Sequence, residues 1–157
     1  SKDDRCNKKL WYKINSRPDV IVLEGWCVGA KGQQNSELVK SINSLEKVND
    51  PSLVWRKYVN TQLKIHYKNL FQQIDEIIYL KANNFKMLQK WRIKQEKTLW
   101  LKSKNKRNLR IMTRGDIINF MQTYQRITQN MFKDAPKYAS IVMKLNSSHQ
   151  INSIKFK

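Results

Sequence analysis

Hydrophobic positions along the chain change period several times, and each change predicts an element. Val20-Ile-Val-Leu23 is a continuous apolar run, three of its four residues β-branched, bounded by the turn Ser16-Arg-Pro-Asp19 and by Glu24-Gly25. Such a run predicts a strand buried on both faces, with Glu24 at its C-terminal edge. Leu38, Val39, Ile42, Leu45 and Val48 recur at helical spacing and predict one short helix over 36–48. Asp50-Pro51 predicts the cap and first position of the next helix. From there Trp55, Tyr58, Val59, Leu63, His66, Tyr67, Leu70, Phe71 and Ile74 form a single stripe, read as a long packed helix with His66 in its core or groove.

Further on, Glu76–Lys81 predicts a second buried strand, and Phe85, Leu88, Trp91, Gln95 and Leu99 mark a helix after the Asn83-Asn84 turn. Thr113-Arg-Gly-Asp116 has the form of a capping box opening a helix with Ile117, Phe120, Met121, Tyr124, Ile127 and Met131 inward, ended by Asp134-Ala-Pro136. Ala139–Leu145 predicts a third strand, and Ile151, Ile154 and Phe156 a final edge strand after the turn at Asn146–His149. Strands alternating with helices predict an α/β class with a mostly parallel sheet flanked by helices. At 157 residues, without an internal repeat or a Pro/Gly/Ser linker, the chain is one domain or a piece of one.

Charge changes this picture in one place. The formal net charge is +19, and the segment Lys86–Arg114 holds eleven basic residues against one acid, Glu96. That concentration calls for an anionic partner, either phosphate groups or nucleic acid. Within it, 102–110 is a charge run expected to be a flexible solvated loop. A basic nucleic-acid-binding module is the competing reading, but no recognition motif supports it, and Trp55, Tyr58, Trp91 and Trp100 fall at helical spacing expected for packing. Cys6 and Cys27 are far apart in no ligand-like spacing, which argues against a disulfide framework or zinc site and for a reducing, cytoplasmic setting. No apolar run approaches the roughly 18 residues of a membrane helix. His66 and His149 are the only histidines and no acid-rich cluster accompanies them. Gly25, Gly29 and Gly32 do not form a phosphate-binding fingerprint, and Gly-x-x-x-x-Gly-Lys-Ser/Thr occurs nowhere in the chain. In an open α/β sheet an acid at a strand's carboxyl edge can hold a metal ion or orient a reacting group, so Glu24 is the first candidate for chemistry.

Several motifs occur together in order: Asp4-Arg5 with Lys9-Leu-Trp11, Val20-Ile-Val-Leu-Glu-Gly-Trp-Cys-Val-Gly29, Asn43-x-Leu45-Glu46 with Asp50, Trp55-Arg-x-Tyr-Val-Asn60, Trp91-Arg-x-x-Gln95-Glu96, and Met112-Thr113. In these the chain resembles the C-terminal part of the D-glycerate 3-kinase family, P-loop kinases related to uridine kinase and phosphoribulokinase. The resemblance implies a P-loop NTPase sheet of the kinase type whose N-terminal P-loop strand is missing, residues 1–157 being the C-terminal portion of one kinase domain. It implies ATP-dependent phosphoryl transfer, with Mg²⁺, to a hydroxyl of a small organic acid such as D-glycerate.

The strand 20–24 then matches the Walker-B-like strand, with Glu24 as the acid acting on Mg²⁺ directly or through water. The basic segment 84–114 matches a lid, with Arg92 as the catalytic cation and Lys90, Arg92 and Gln95 toward the nucleotide phosphates. Asp4 and Arg5 match a motif on the acceptor side, where Arg5 can pair with a carboxylate. The implied partners are that acceptor and the missing N-terminal half of the same domain, with neither nucleic acid nor membrane. Because the phosphate-cradling loop is absent, the chain reads as a fragment or truncated gene product, inactive alone; a non-catalytic remnant is the further alternative. Asp3 and Gly32-Gln33 depart from the family pattern, which commonly has a glycine before Asp-Arg and a proline after Val-Gly.

Overall fold

The computed structural model describes residues 7–102 and 111–157. Asp4 and Arg5, and the charge run from 103 to 110, lie outside the described residues.

Two short helices, α1 (Asn35–Val39) and α2 (Ser44–Asn49), replace the single helix expected over 36–48. The break is stabilised from outside. Arg56 and Arg126 donate to the carbonyls of Leu38, Glu37 and Lys40, groups that a helix end leaves without partners, and Asn43 caps α2 by accepting from the Glu46 N–H. The stripe after Pro51 is helical but starts later: α3 (Val54–Gln62) continues through a π-helical turn at Leu63–Tyr67 into α4 (Lys68–Phe71). Pro51 therefore precedes the helix, and Leu53, at φ 65°, is its N-cap. Asp50 still performs the capping chemistry, accepting from the Trp55 and Arg56 N–H groups at 3.0 and 3.1 Å.

The face of α3 that is buried is not the apolar stripe. Arg56 and Asn60 are buried, whereas Trp55, Tyr58 and Val59 are exposed, and His66 is on the surface and not in a core. Trp100 is likewise exposed.

Strands β1 (Ile78–Lys81), β2 (Ile141–Leu145) and β3 (Ile151–Phe156) form a three-stranded sheet in the order β1-β2-β3. The β1–β2 pair is parallel, Ile78 opposite Ile141, and β2–β3 is an antiparallel hairpin with an irregularity at Lys144/Leu145. One parallel and one antiparallel pair make a mixed sheet in place of a mostly parallel one. Helices α5 (Phe85–Lys102) and α6 (Arg114–Tyr138) form the crossover between β1 and β2. The predicted capping box is formed: the Thr113 hydroxyl accepts from the Asp116 N–H, and the Asp116 carboxylate accepts from the Thr113 N–H. Asp134-Ala-Pro136 does not end α6, which contains Pro136 in its last turn. Proline removes one backbone donor there, and buried Ala135, the Ala139 N–H bonded to the Ala135 carbonyl, and the Tyr138 hydroxyl bonded to the Gly29 carbonyl hold the turn.

Two small cores flank α6. Phe85, Ile117 and Met121 pack with Leu88, Ile93, Met112 and Phe132 between α5 and α6; Ala30, Met131 and Ala135 pack with Cys27, Leu63, Tyr79, Ile127 and Tyr138.

The strand expected at 20–24 is the main correction. Residues 20–25 join no sheet among the described residues, and Val20, Ile21, Val22 and Leu23 are exposed, Val22 to 84 %. A β-branched run has a high tendency to pair, but a ladder needs a neighbour, and among the described residues neither edge of the sheet receives it.

Candidate functional site

Glu24 lies on the exposed approach to a turn that is held firmly. Trp26–Gly29 turns with Cys27 at φ 65° and Gly29 at φ 78°, and the Ala30 N–H closes it on the Cys27 carbonyl at 3.1 Å. At Gly29 the left-handed backbone itself favours glycine, and an added Cβ would also press on Ile77 at 3.2 Å. From α6, Thr128 accepts the Trp26 indole N–H at 3.0 Å, and Tyr124 stacks on the Trp26 ring with centroids 5.4 Å apart. Burial pushes the Cys27 thiol up to about 11, against a smaller downward effect of its hydrogen bond with Thr128. The thiol stays protonated near neutral pH and packs as a small apolar group. Burial likewise raises Tyr138 to about 12, helped by Asp134, and Tyr79 goes up by burial and by its neighbours Tyr138 and Cys27.

The chain leaving this turn is clamped by buried polar groups. Asn60 accepts from the Gln33 N–H at 2.7 Å and donates to the Gln33 carbonyl at 2.9 Å; Asn130 donates to the Lys31 carbonyl, and the Lys31 ammonium sits 3.9 Å from the Tyr138 ring centroid. Gly32 passes so close to α3 that a Cβ would meet the Lys64 side chain at 2.5 Å and the Asn60 carbonyl at 3.1 Å.

Beyond it, Glu46 bridges two arginines. Arg126 donates to both of its oxygens at 2.7 Å, and Arg56 lies 3.6 Å away while binding Asp50 at 2.9 Å. Burial by itself would raise the Asp50 carboxyl, but the Arg56 side chain, the Trp55 and Arg56 N–H groups and the Arg56 charge together hold it below the usual carboxylate value. A cavity of about 370 Å³ adjoins this network, yet the carboxylates and arginines lining it satisfy one another. Asn43, Glu46, Asp50, Arg56 and Asn60 stand in the motifs that carry the family resemblance. Apart from Asp50 as a helix cap, sequence alone assigns them no role, since long-range ion pairing leaves no periodic signal.

The lid-like helix α5 faces the other side of the turn. Arg92 pairs with Glu96 one turn further on, and its second Nη lies 3.9 Å from the Met112 sulfur. Glu96, 2 % exposed, also accepts the Met112 N–H at 2.9 Å, so one carboxylate ties Arg92 to the chain entering α6. Trp91 donates its indole N–H to the Ser147 carbonyl at 3.0 Å and stacks on His149, centroids 4.1 Å apart. Between α5, the Trp26 turn and the β2–β3 turn lies an open cavity of about 570 Å³, lined among others by Trp26, Trp91, Arg92, Gln95 and His149.

Of the residues singled out from sequence, Arg92 and Gln95 meet at this cavity with Trp26, two residues from Glu24. Lys90 is exposed and does not line it; Lys94 and Lys102 do. Among the described residues no three His, Cys, Asp or Glu side chains gather as a metal site, so Glu24 is a single exposed carboxylate. That donor set fits Mg²⁺, which is commonly held by one or two carboxylates together with substrate phosphates. Among the described residues no helix is long and apolar enough to cross a membrane.

No family model matches the chain. An uncharacterized kinase of Schizosaccharomyces pombe, mug58, is 32 % identical over 98 residues, which cover 61 % of this chain and 34 % of that protein. In structure, a D-glycerate 3-kinase from Cryptococcus neoformans superposes with a TM-score of 0.67 at 20 % identity, over 92 % of this chain and 52 % of that one. The YGR205w protein superposes with a TM-score of 0.55 at 22 % identity, over 85 % and 46 %. The chain thus spans about a third of the curated relative and about half of each solved structure. Its mixed α/β fold is that of part of a D-glycerate 3-kinase, and the resemblance carried by its motifs is to kinases of that family.

Proposed function

We propose that these residues are the lid-bearing, metal-side part of an ATP-dependent small-molecule kinase of the P-loop type, transferring a phosphoryl group to a hydroxyl of an organic acid such as D-glycerate. The observation that supports it is a convergence: the turn following Glu24 and the lid-like helix carrying Arg92 and Gln95 border one cavity.

Phosphoryl transfer asks a protein chiefly to position two oxygens and to neutralise charge. Mg²⁺, when bound, neutralises phosphate charge between nucleotide and protein. Glu24 is the carboxylate that would hold it, directly or through water. Arg92 keeps donors beyond those it directs to Glu96 and Met112, because a guanidinium has five N–H groups, and these would meet phosphate oxygens. Glu96 fixes the direction of that fork. Lys94 and Lys102 add positive charge along the cavity, while Lys90 would act only from its rim. Asp4 and Arg5 keep the acceptor-side role that the resemblance implies for them.

None of the 157 residues forms the Gly-x-x-x-x-Gly-Lys-Ser/Thr loop that cradles a triphosphate, so the chain alone is expected not to turn over ATP. The test is ADP release with D-glycerate, on this chain and on the protein translated from the full reading frame containing it. Turnover in the latter, reduced at least about tenfold by Glu24→Gln, is expected. Turnover indifferent to that substitution, or none with any hydroxy acid, overturns the reading.

A further inference from the structure

We propose that the solvent face of α5 binds single-stranded nucleic acid, with a ridge of lysines against the sugar-phosphate backbone and Trp100 against a base. This surface is separate from the chemistry of phosphoryl transfer and does not depend on it.

Lys86, Lys90, Lys94 and Lys97 follow one another at steps of four, four and three residues. On an α-helix those steps set them in one strip, about 16 Å long at a rise of 1.5 Å per residue. All four are exposed, and among the described residues none is paired with a carboxylate. Glu96, the one acid on the helix, is turned inward, where it is buried and engaged with Arg92 and the Met112 N–H. The ridge is therefore a row of positive charges that nothing on its own helix neutralises. Like charges one turn apart disfavour the helix that carries them, and an anion whose own charges repeat along its length relieves that repulsion. A small metabolite carries its charge at one place, whereas a phosphodiester strand presents a charge at every nucleotide and can follow the row.

The exposed aromatic ring selects nucleic acid among polyanions. Helical spacing predicts that Trp100 packs, yet it is 49 % exposed, with Leu101 at 51 % beside it. Trp100 lies three residues beyond Lys97 and Leu101 four, so both adjoin the end of the ridge. An accessible indole next to a row of cations has the two parts of a single-strand platform, a flat face for a base and positive charge for the backbone. In a duplex the bases already stack on one another, so the ring calls for an unpaired strand.

The probe is a fluorescein-labelled oligothymidylate of about 12 nucleotides, titrated with this chain by fluorescence anisotropy at several salt concentrations. The logarithm of affinity is expected to fall with the logarithm of salt with a slope of about 3, from four contacts at about 0.7 each. Because the whole chain carries +19, two triple variants that remove equal charge separate the ridge from general attraction. Changing Lys86→Gln, Lys90→Gln and Lys97→Gln together is expected to lower the slope by about 2 and the affinity by about tenfold or more. Changing Lys40→Gln, Lys47→Gln and Lys57→Gln, all exposed and outside α5, is expected to lower affinity by less than about twofold. Glutamine keeps the helix propensity of lysine, and circular dichroism confirms that each variant is folded. Trp100→Leu retains an apolar side chain without the flat ring and is expected to weaken binding about fivefold or more at an unchanged slope.

Equal losses in the two triple variants would mean diffuse attraction and overturn the proposal. So would tighter binding of the matching duplex, an affinity unchanged by Trp100→Leu, or competition by inorganic polyphosphate as strong as that of the unlabelled strand. Turnover of ATP, present or absent, bears on the kinase reading alone.

Discussion

Two regions of the molecule invert the usual relation between polarity and burial. Around Glu46 the charged groups are inside: Glu46, Asp50 and Arg56 are 5 %, 7 % and 6 % exposed, and no buried side-chain donor or acceptor among the described residues lacks a partner. Around Val20–Leu23 and on one face of the sheet the apolar groups are outside, with Ile78, Leu80, Ile151, Ile154 and Phe156 all exposed, while Val142 and Tyr79 on the other face pack inward. The polar region is complete within the chain, whereas the apolar one has a surface fit for packing and, among the described residues, nothing packed on it. Closure by hydrogen bonds thus marks what this chain organises by itself. Exposed β-branched surface marks where it is open to further contact.

The largest effect is expected in the closed region. Arg56→Ala would leave Asp50 and Glu46 buried with part of their compensation gone, and would release the Leu38 carbonyl that ends α1. Breaking a buried pair from one side costs about 3–5 kcal/mol, which urea denaturation would read as a large fall in midpoint. A loss below about 1 kcal/mol would mean the network is effectively solvated and the comparison fails.

Acid tests the same region more gently. The Asp50 carboxyl sits below its unfolded value in the folded protein, so its contribution is present above the unfolded pKa of about 3.9 and is lost as pH falls through the lower folded value. Stability measured by urea between pH 7 and pH 3 should decline toward the acid end. Asp50→Asn should flatten that limb while lowering stability at pH 7. An unchanged limb would assign the acid sensitivity to other carboxylates. Smaller still is Thr113→Ala, which removes the hydroxyl that caps α6 and should cost about 1 kcal/mol by the same measurement.

Local signals were the legible ones. The capping box at Thr113 and Asp116, the strands around Leu80, Val142 and Ile154, and the helix bearing Trp91 and Arg92 all depend on residues a few positions apart, and all are present. What sequence reading missed depends on distant partners. The stripe from Trp55 to Ile74 has helical period, but the buried face is set by Arg56 and Asn60, whose partners lie 6 to 27 positions away. The helix expected over 36–48 breaks because Arg126, 86 positions beyond Lys40, takes its carbonyl. At the candidate site, Arg92 and Gln95 were found through the motif resemblance. Trp91, His149 and Trp26 come to one cavity only through the hairpin and α6, since aromatic spacing on one helix does not reveal what braces it.

The smallest effect sharpens the contrast most. Val22→Asp places a charge in the middle of the run that reads as a doubly buried strand. In such a strand an unpaired carboxylate would cost several kcal/mol and would shift toward its neutral form. In the structure Val22 is 84 % exposed and the backbone around it joins no ladder, so the substitution should move the urea midpoint by no more than an equivalent of about 0.5 kcal/mol. The same substitution made in a longer protein that contains these residues distinguishes two origins of that exposure. A large loss of stability there, beside none in this chain, would show that another segment covers Val20–Leu23 and holds Glu24 in place. Equal indifference in both would mean that the turn braced by Thr128 and Tyr124 positions the acid without a strand.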